Sequence, residues 1–293
     1  MEKKYKILLT GSNGNLGYAI KNELKKESYN SKYSIKKDLN FNNLELIEKY
    51  LNKLKPNFII NTAAYTNVDN AEKNKKDCYK INALAIKKLA KWVKKNKSFL
   101  IHFSTDYVFN GRNNKPLNEK DKTNPINYYG KSKLDGEKFI ISSKCKYFIL
   151  RVGWLYSERR ENFPQKIVKK IVKEKEIYVT NDQFCAPNHV EFISKTTIKI
   201  LKKIITNSKI KSRILHVSTK GHTSYYDWAK KIQKKLQKTN KCKIIPISYK
   251  KFKTKTKRPL YTIFNTNSLE KFLGISIPNW EIIFHKKINN ILK

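Results

Sequence analysis

The sequence has few cysteines and lacks any long apolar run. Its four cysteines lie far apart, with no Cys-x-x-Cys pair and no histidines at ligand spacing, so neither a disulfide framework nor a zinc site is expected. No run of about 18 apolar residues occurs, which predicts that nothing spans a membrane. The start, MEKKYKILLT, has no signal-peptide core. Together these absences predict a cytoplasmic protein with reduced, mostly structural thiols.

Acidic residues are scarce as well, and the formal net charge is +41. Such a charge could indicate a nucleic-acid binder, because positive potential attracts polyanions. However, only six of the 64 basic residues are arginines, although arginine is the usual choice for bidentate phosphate and base contacts. The lysines are also spread along the whole chain. We interpret the charge as a general lysine bias and expect no specific nucleic-acid partner, while an anionic substrate fits either interpretation.

Short apolar runs alternate with segments of helical periodicity in the first half of the chain. This alternation predicts an α/β fold, a Rossmann-like doubly wound parallel sheet, in a dinucleotide-binding domain over residues 1–153. The pattern then becomes mixed, so residues 154–293 are predicted to form a smaller α/β substrate lobe, with some segments packing back on the first domain. A single long amphipathic helix is predicted over residues 70–97.

Glycine is also rare, yet three of the nine glycines fall in one turn. Gly11, Gly14 and Gly17 occupy G-S-N-G-N-L-G directly after the first strand. Gly11 permits the tight turn, Gly14 lets the backbone approach a pyrophosphate, and Gly17 allows close packing of helix on strand. The helix N-terminus then supplies free N–H groups for the phosphates. The turn therefore predicts dinucleotide binding.

The end of the second strand does not decide between NAD and NADP. An acidic residue there would hold the adenosine ribose and favour NAD, but residues 28–37 are basic and Asp38 comes later. Lys32, Lys36 or Lys37 could accept a 2′-phosphate, although lysine is too frequent for this to be decisive. The cofactor is accordingly predicted as NADPH or NADH.

A Tyr-x-x-x-Lys pair suits ketone reduction, because a tyrosine can donate the proton when a nearby cation lowers its pKa. Tyr129 and Lys133 have this spacing, but so do the pairs that begin at Tyr33, Tyr226 and Tyr249. The sequence around each pair distinguishes one of them from the other three. Only Tyr129 opens a helix soon after a strand that ends in Ser-Thr-Asp, at the sheet edge where ligands of open α/β sheets bind.

Several longer motifs resemble the dTDP-4-dehydrorhamnose reductase family of extended short-chain dehydrogenases. The main ones are H-F-S-T-D-Y-V-F-N-G (102–111) and N-Y-Y-G-K-S-K-L-D-G-E (127–137), with further matches in N-T-A-A-Y-T-N-V-D-N-A-E (61–72), G-W-L-Y (153–156), Asn162-Phe163, N-D-Q-F-C-A-P (181–187) and Arg258-Pro259. The resemblance covers nearly the whole chain. It implies NAD(P)H-dependent reduction of the 4-keto group of a nucleotide-linked 6-deoxy-sugar, with dTDP-4-dehydro-L-rhamnose as the substrate.

The resemblance also implies residue roles. Tyr129 would donate the proton to the C4 carbonyl, Lys133 would hold the nicotinamide ribose and lower the tyrosine pKa, and Thr105 would hydrogen-bond the carbonyl oxygen. Asp106 would line the sugar pocket, and Trp154 would pack against the deoxysugar unless it is plain core. Besides Gly11, Gly17 and the catalytic Tyr129 and Lys133, the residues implied to line the cofactor are Gly14, Asn15, Leu16, Asp38, Leu39, Ala64, Tyr65 and Thr66.

The chain departs from the family pattern in places. The family's magnesium-linked dimer uses a glutamate just after the glycine turn, where this chain has Tyr18-Ala19. Glu191 matches a second such position, but one carboxylate makes a poor site for a hard cation. No metal is therefore predicted, and either a monomer or a homodimer is possible. The asparagine usual soon after Arg-Pro is also absent from Arg258-Pro259-Leu260-Tyr261.

Two other functions are compatible with the fold. One is a non-catalytic relative that binds a nucleotide and regulates a partner enzyme, and the other is a reductase of a different nucleotide-linked 4-keto-sugar. The intact set of Thr105, Tyr129 and Lys133 favours an enzyme, since a purely regulatory protein need not keep it.

Overall fold

A six-stranded parallel sheet forms the centre of the molecule. In the computed structural model, which describes residues 5–112, 114–207, 209–236, 242–251, 254 and 256–292, its strand order is β10-β5-β4-β3-β1-β2. All neighbouring strands in it are parallel. The six strands are β1 (Lys6–Thr10), β2 (Asn30–Ser34), β3 (Phe58–Asn61), β4 (Phe99–Thr105), β5 (Lys146–Val152) and β10 (Arg213–His216). The predicted α/β class with a central parallel sheet is confirmed.

Helices cover the sheet and connect its strands. The α-helices are α1 (Asn15–Leu24), α2 (Leu44–Leu54), α3 (Val68–Lys73), α4 (Lys75–Tyr79), α5 (Ala85–Lys95), α6 (Tyr128–Ser142), α7 (Phe163–Lys173), α8 (Val190–Thr206), α9 (Tyr225–Lys235), α10 (Asn267–Leu273) and α11 (Trp280–Leu292). No helix in the described part of the chain is both long enough and apolar enough to cross a membrane.

The central strands are buried on both faces. In β1, Ile7 and Leu9 belong to one apolar cluster, with α1 and α8, whereas Leu8 belongs to another, with α2 and α5. Continuous apolar strands of this kind are expected where helices cover both faces of a parallel sheet. The order of strands reverses beside β1, because β2 lies on one side of it and β3 on the other. Ligands of open α/β sheets bind at the carboxyl edge of such a reversal.

The second half of the chain contributes both to the central sheet and to a separate apolar cluster. Strand β10 extends the central sheet and α8 packs against α1. A separate apolar cluster joins α7, α9 and α11 with short strands, and its largest buried side chains are Trp228 and Trp280. The short strands are β6 (Leu155–Tyr156), β7 (Glu176–Thr180), β8 (Phe184–Cys185), β9 (Asn188–His189), β11 (Thr223–Ser224) and β12 (Lys243–Ile247). The domain boundary at residue 153 stays a prediction.

The prediction of one helix over residues 70–97 is wrong. The segment is broken at Asn74, whose backbone is not helical, and residues Lys80–Leu84 form a π-helix before α5 begins. The π turn brings the Asn82 carbonyl so close to α6 that a side chain at Gly136 would overlap it. Amphipathic periodicity indicates the apolar face of a helix but cannot reveal a change from α to π hydrogen bonding. In this protein that change occurs where α6 approaches the helix closely.

Candidate active site

The glycine turn between β1 and α1 has the shape that a dinucleotide diphosphate requires. Gly11 has a φ of +68°, and a Cβ there would lie 2.7 Å from the Ala63 nitrogen. A Cβ on Gly17 would overlap the Gly11 carbonyl and lie 2.7 Å from Thr62 Oγ1. A Cβ on Gly14, in contrast, meets only Gly11 O at 3.3 Å, and its outer side is open. The structure therefore leaves space at Gly14, beside the N–H groups of Asn15 and Leu16 that begin α1, which is where a ligand phosphate is predicted.

We expect Gly14→Val to abolish NADPH binding without unfolding the protein. Gly14 has an ordinary φ of −68°, so valine is tolerated by the backbone, but its side chain would fill the place of the diphosphate. Calorimetric titration with NADPH and a thermal melt measure the two effects. Gly17→Ala is the contrasting variant, since its clash lies inside the fold and lowers the melting temperature instead. Wild-type NADPH affinity in Gly14→Val would contradict the assignment of the turn.

The carboxylate of Asp38, which follows β2, contacts its own loop through one oxygen. Asp38 Oδ2 accepts a hydrogen bond from the Ile35 N–H at 2.9 Å, so this carboxylate closes its own loop. Leu39 is buried in the apolar cluster around Leu8. The structure thus places Asp38 near the sheet edge but engages its side chain locally, and any contact of Leu39 with the cofactor would come from its backbone.

Ala64, Tyr65 and Thr66 follow β3 and are held by a residue that the sequence patterns did not single out. The Asn82 amide accepts from the Tyr65 N–H at 2.9 Å and donates to the Tyr65 carbonyl at 3.0 Å. The same amide donates to Ser132 Oγ in α6 at 3.0 Å. Asn82 lies in the π turn, so this irregular segment ties the loop after β3 to the helix that carries Tyr129.

Tyr129 is fixed at the start of α6 beside the end of β4. Asn127 caps the helix by accepting from the Gly130 N–H at 2.8 Å. A side chain at Gly130 would overlap the Tyr107 carbonyl, so glycine allows the helix start to lie directly on the residue two positions after Thr105. The Tyr129 side chain lies beside Thr105; burial raises the pKa of Tyr129, and the neighbouring Thr105 side chain acts to lower it.

Lys133 lies one helical turn beyond Tyr129, and its ammonium group is buried. Its Nζ donates to the Phe103 carbonyl of β4 at 2.6 Å and lies 3.4 Å from His102 Nε2. Burial lowers the pKa of Lys133 to about 8, with Glu137 and Cys78 acting in the opposite direction. The predicted catalytic residues Thr105, Tyr129 and Lys133 are therefore brought together at the carboxyl end of β4.

A buried chain of polar groups leads from β1 to Lys133. Asn61 Oδ1 accepts from the Ala63 N–H and from Thr10 Oγ1, so the Asn61 amide N–H faces His102 Nδ1 at 2.9 Å. Burial, together with the Lys133 charge, holds the pKa of His102 well below its ordinary value. The neutral ring thus carries its proton on Nε2, facing Lys133. His102 lies within a buried strand and belongs to no motif, so no sequence pattern indicated its place beside Lys133.

Asp106 and Trp154 lie at the same edge of the sheet. Asp106 accepts from Thr105 Oγ1 at 3.0 Å and from Thr262 Oγ1 at 2.8 Å, and burial raises its pKa to about 6. Trp154 has a φ of +39°, which is unusual for a bulky residue, and its ring stacks on Tyr225 at 3.7 Å. Trp154 is only partly buried and packs at the rim of the cluster around Trp228. Trp154 is thus not an ordinary residue of the hydrophobic core.

The three other Tyr-x-x-x-Lys pairs lie in unsuitable places. Tyr33 is in β2 and Lys37 follows the strand, so this pair shares no helix. Tyr226 and Lys230 share α9, and the Tyr226 side chain packs against the apolar cluster around Trp228. Lys253 lies outside the described residues, and the Tyr249 hydroxyl accepts from the Arg258 N–H at 2.9 Å. Tyr249 therefore has a structural role, and its replacement is no neutral control.

Two lysines pair with Glu191, the residue at which the resemblance places a magnesium ligand. Glu191 is paired with Lys195 at 2.6 Å and with Lys287. Partial burial acts to raise the pKa of Glu191, but the two lysines outweigh it and lower the pKa to about 2. On α1, the exposed Tyr18 lies under the Arg159 guanidinium. Within the described ranges, no three His, Cys, Asp or Glu residues are grouped so that they could hold a metal.

The chain is similar to known proteins along nearly its whole length. The RmlD substrate binding domain family matches residues 5–292. The dTDP-4-dehydrorhamnose reductase of Aggregatibacter actinomycetemcomitans is 31% identical over 287 residues, which cover 94% of this chain and 96% of that protein. The crystal structure of dTDP-4-dehydrorhamnose reductase from Bacillus anthracis in complex with NADP is 33% identical, with a TM-score of 0.88 and coverage of 97% and 98%. An orthologous structure from Clostridium acetobutylicum is 31% identical, with a TM-score of 0.90 and coverage of 98% and 100%.

Proposed function

Because the chain belongs to the dTDP-4-dehydrorhamnose reductase family and is an NAD(P)H-dependent oxidoreductase, we propose that it reduces dTDP-4-dehydro-L-rhamnose to dTDP-L-rhamnose. The observation that carries the proposal is the cluster at the end of β4. There the Tyr129 side chain lies beside Thr105, and Lys133 lies one helical turn away on the same helix. The glycine turn opens at the same edge of the sheet, next to the point of strand reversal.

Each residue has a role that follows from its place. The open side of Gly14 and the N–H groups at Asn15 and Leu16 would hold the cofactor diphosphate. When bound, the nicotinamide supplies the hydride that reduces the carbonyl carbon. Thr105 would hold the carbonyl oxygen, and Tyr129 would donate the proton that neutralises the developing negative charge. Lys133 would bind the nicotinamide ribose through the N–H groups that Phe103 leaves free.

The sugar is proposed to lie between Asp106 and Trp154. Asp106 sits next to Thr105 and is buried, so it can accept hydrogen bonds from sugar hydroxyls at a fixed position. Trp154 presents an aromatic surface beside Tyr225, and such surfaces pack well against the apolar face of a deoxysugar. The high positive charge of the chain favours a substrate that carries a diphosphate.

Turnover with defined sugars tests the proposal. The protein is incubated with NADPH or NADH and with dTDP-linked 4-keto-6-deoxy-sugars, and the loss of the nicotinamide absorbance is followed while NMR identifies the product at C4. Oxidation of NADPH with formation of dTDP-L-rhamnose is expected. Turnover of only another 4-keto-sugar would support the second candidate substrate class. Dinucleotide binding without turnover of any sugar would favour the regulatory alternative.

The buried ammonium of Lys133 gives the reaction an expected dependence on pH. Burial makes the charged form costly and lowers its pKa to about 8, so the charge is lost as pH rises through that value. If binding requires the charged form, the NADPH affinity of the free protein should fall by about tenfold between about pH 7 and about pH 9. Fluorescence titration measures this fall.

Two variants test the source of this pH dependence. Lys133→Met should bind NADPH weakly at every pH, with the fall above about pH 8 removed. Lys131→Met, which removes an exposed lysine of the same helix, should keep the wild-type profile. A fall in affinity that persists unchanged in Lys133→Met would assign the titration to another group.

A further inference from the structure

Two of the chain's six arginines meet at the glycine turn from a distant loop. Arg159 Nη1 donates to the Asn13 carbonyl at 2.7 Å, and Arg160 Nη2 donates to the same oxygen at 2.8 Å. The Arg159 guanidinium also lies 4.2 Å from the centroid of the Tyr18 ring. The loop between β6 and α7 therefore places two guanidinium groups against the turn that precedes α1.

This arginine pair carries charge that the protein leaves uncompensated. Its acidic neighbours along the chain are engaged elsewhere, since Glu158 contacts His189 and Glu161 pairs with Lys169. Within the part of the chain that the structure describes, neither guanidinium has a carboxylate partner. A single carbonyl oxygen can accept from both groups but cannot neutralise two positive charges. An anion placed here would be bound by both, because the planar guanidinium matches phosphate oxygens bidentately.

The position of Arg159 and Arg160 in the fold indicates which anion they would bind. The turn that it contacts is also bonded to the end of β2, where the Ser12 N–H donates to the Ser34 carbonyl at 3.0 Å. A nicotinamide dinucleotide passes this point with its diphosphate at the start of α1 and its adenosine ribose at the end of β2. Both sides of the turn would thus lie near phosphates of a bound NADPH, whereas NADH has only the diphosphate.

We propose that Arg159 and Arg160 bind a phosphate group of the nicotinamide cofactor. The pair supplies full positive charge to a turn whose backbone N–H groups supply only partial charge. On binding, the guanidinium groups exchange the Asn13 carbonyl for phosphate oxygens, so the loop between β6 and α7 closes over the bound dinucleotide. The inference rests on the use of NAD(P)H in the proposed function, and it makes this loop part of the cofactor site.

Calorimetric titration with NADPH and with NADH tests the proposal on the free protein. The double variant R159A/R160A is expected to bind its cofactor roughly tenfold more weakly, the effect of losing charge-assisted hydrogen bonds. The matched control is K170A/K173A, which removes two exposed charges from the next helix and should stay within about twofold of wild type, because distant exposed charges are screened by salt. Thermal melts check that both variants are folded.

The two nucleotides separate the sources of the phosphate. Weaker binding of NADPH and NADH alike assigns the arginine pair to the diphosphate, and weaker binding of NADPH alone assigns it to the 2′-phosphate. Wild-type affinity of R159A/R160A for both nucleotides overturns the proposal. Because the readout is binding without sugar, an error in the proposed substrate leaves this test unaffected, whereas wild-type protein that binds neither nucleotide would contradict the proposed function as well.

Discussion

Tyr129→Phe is expected to lower kcat by about 10²- to 10⁴-fold, the usual range for the loss of a general acid, while NADPH affinity changes little. The substitution removes only the phenolic hydroxyl of a side chain that lies beside Thr105. The phenyl ring remains and can still pack edge to face on Tyr107, where the ring centroids are 5.6 Å apart. Steady-state kinetics with the dTDP-linked 4-keto-sugar and calorimetry with NADPH measure the two quantities separately.

Tyr33→Phe and Tyr226→Phe are the controls for this experiment. Both tyrosines precede a lysine by four residues, but Tyr33 packs against the apolar cluster around Ile7 and Tyr226 against the one around Trp228. Each variant should turn over at nearly the wild-type rate. Full activity in Tyr129→Phe would mean that another group donates the proton, or that the reaction is not a ketone reduction.

Glu137→Ala is expected to destabilise the fold by about 3–5 kcal/mol, as is usual when one partner of a buried ion pair is removed. Glu137 accepts two hydrogen bonds from Arg151, at 3.0 Å from Nε and 2.7 Å from Nη2, and both side chains are almost completely buried. The alanine variant leaves the Arg151 charge in the interior beside the Glu119 carbonyl and the Phe109 ring, neither of which can neutralise it. Denaturant titration measures the free energy of unfolding.

A neighbouring ion pair on the same helix provides the matched control. Asp135 and Lys138 are 3.4 Å apart in α6, and the lysine side chain is 65% exposed. Asp135→Ala should therefore change the free energy of unfolding by less than about 1 kcal/mol. The double variant Glu137→Leu with Arg151→Met should recover much of the lost stability, because it leaves no buried charge unpaired. Equal losses of unfolding free energy in Glu137→Ala and Asp135→Ala would contradict the expectation that the buried ion pair matters more than the exposed one.

The parts of this protein that could be predicted from sequence are those that depend on local pattern. The apolar strand that ends in a turn with Gly11, Gly14 and Gly17 is such a case, because its chemistry lies within seven consecutive residues. Tyr129 could be selected among four equivalent pairs because the strand before it ends in Thr105. The parallel sheet follows from alternation of strands and helices. The roles of the site residues toward ligands stay predictions.

The features that could not be predicted depend on contacts between distant segments. His102 lies in an apolar strand, and only the fold places it between Asn61 and Lys133. Arg159 and Arg160 are charged residues of a loop, and nothing in their sequence indicates that the loop reaches Asn13. The break of the helix after Asn74 and the π turn around Asn82 arise where another helix approaches, so they too are set by tertiary structure.

The π turn at Lys80–Leu84 also restricts how many residues this segment can contain. Each residue of an α-helix turns the chain by about 100° and advances it by about 1.5 Å, and a π turn holds one additional residue without disturbing the phase on either side. A one-residue deletion here would restore regular α periodicity and leave the helical segments on either side in phase. The local geometry would change instead, and with it the position from which the Asn82 amide contacts Tyr65 and Ser132. The additional residue thus serves to aim one amide at the loop after β3 and at α6.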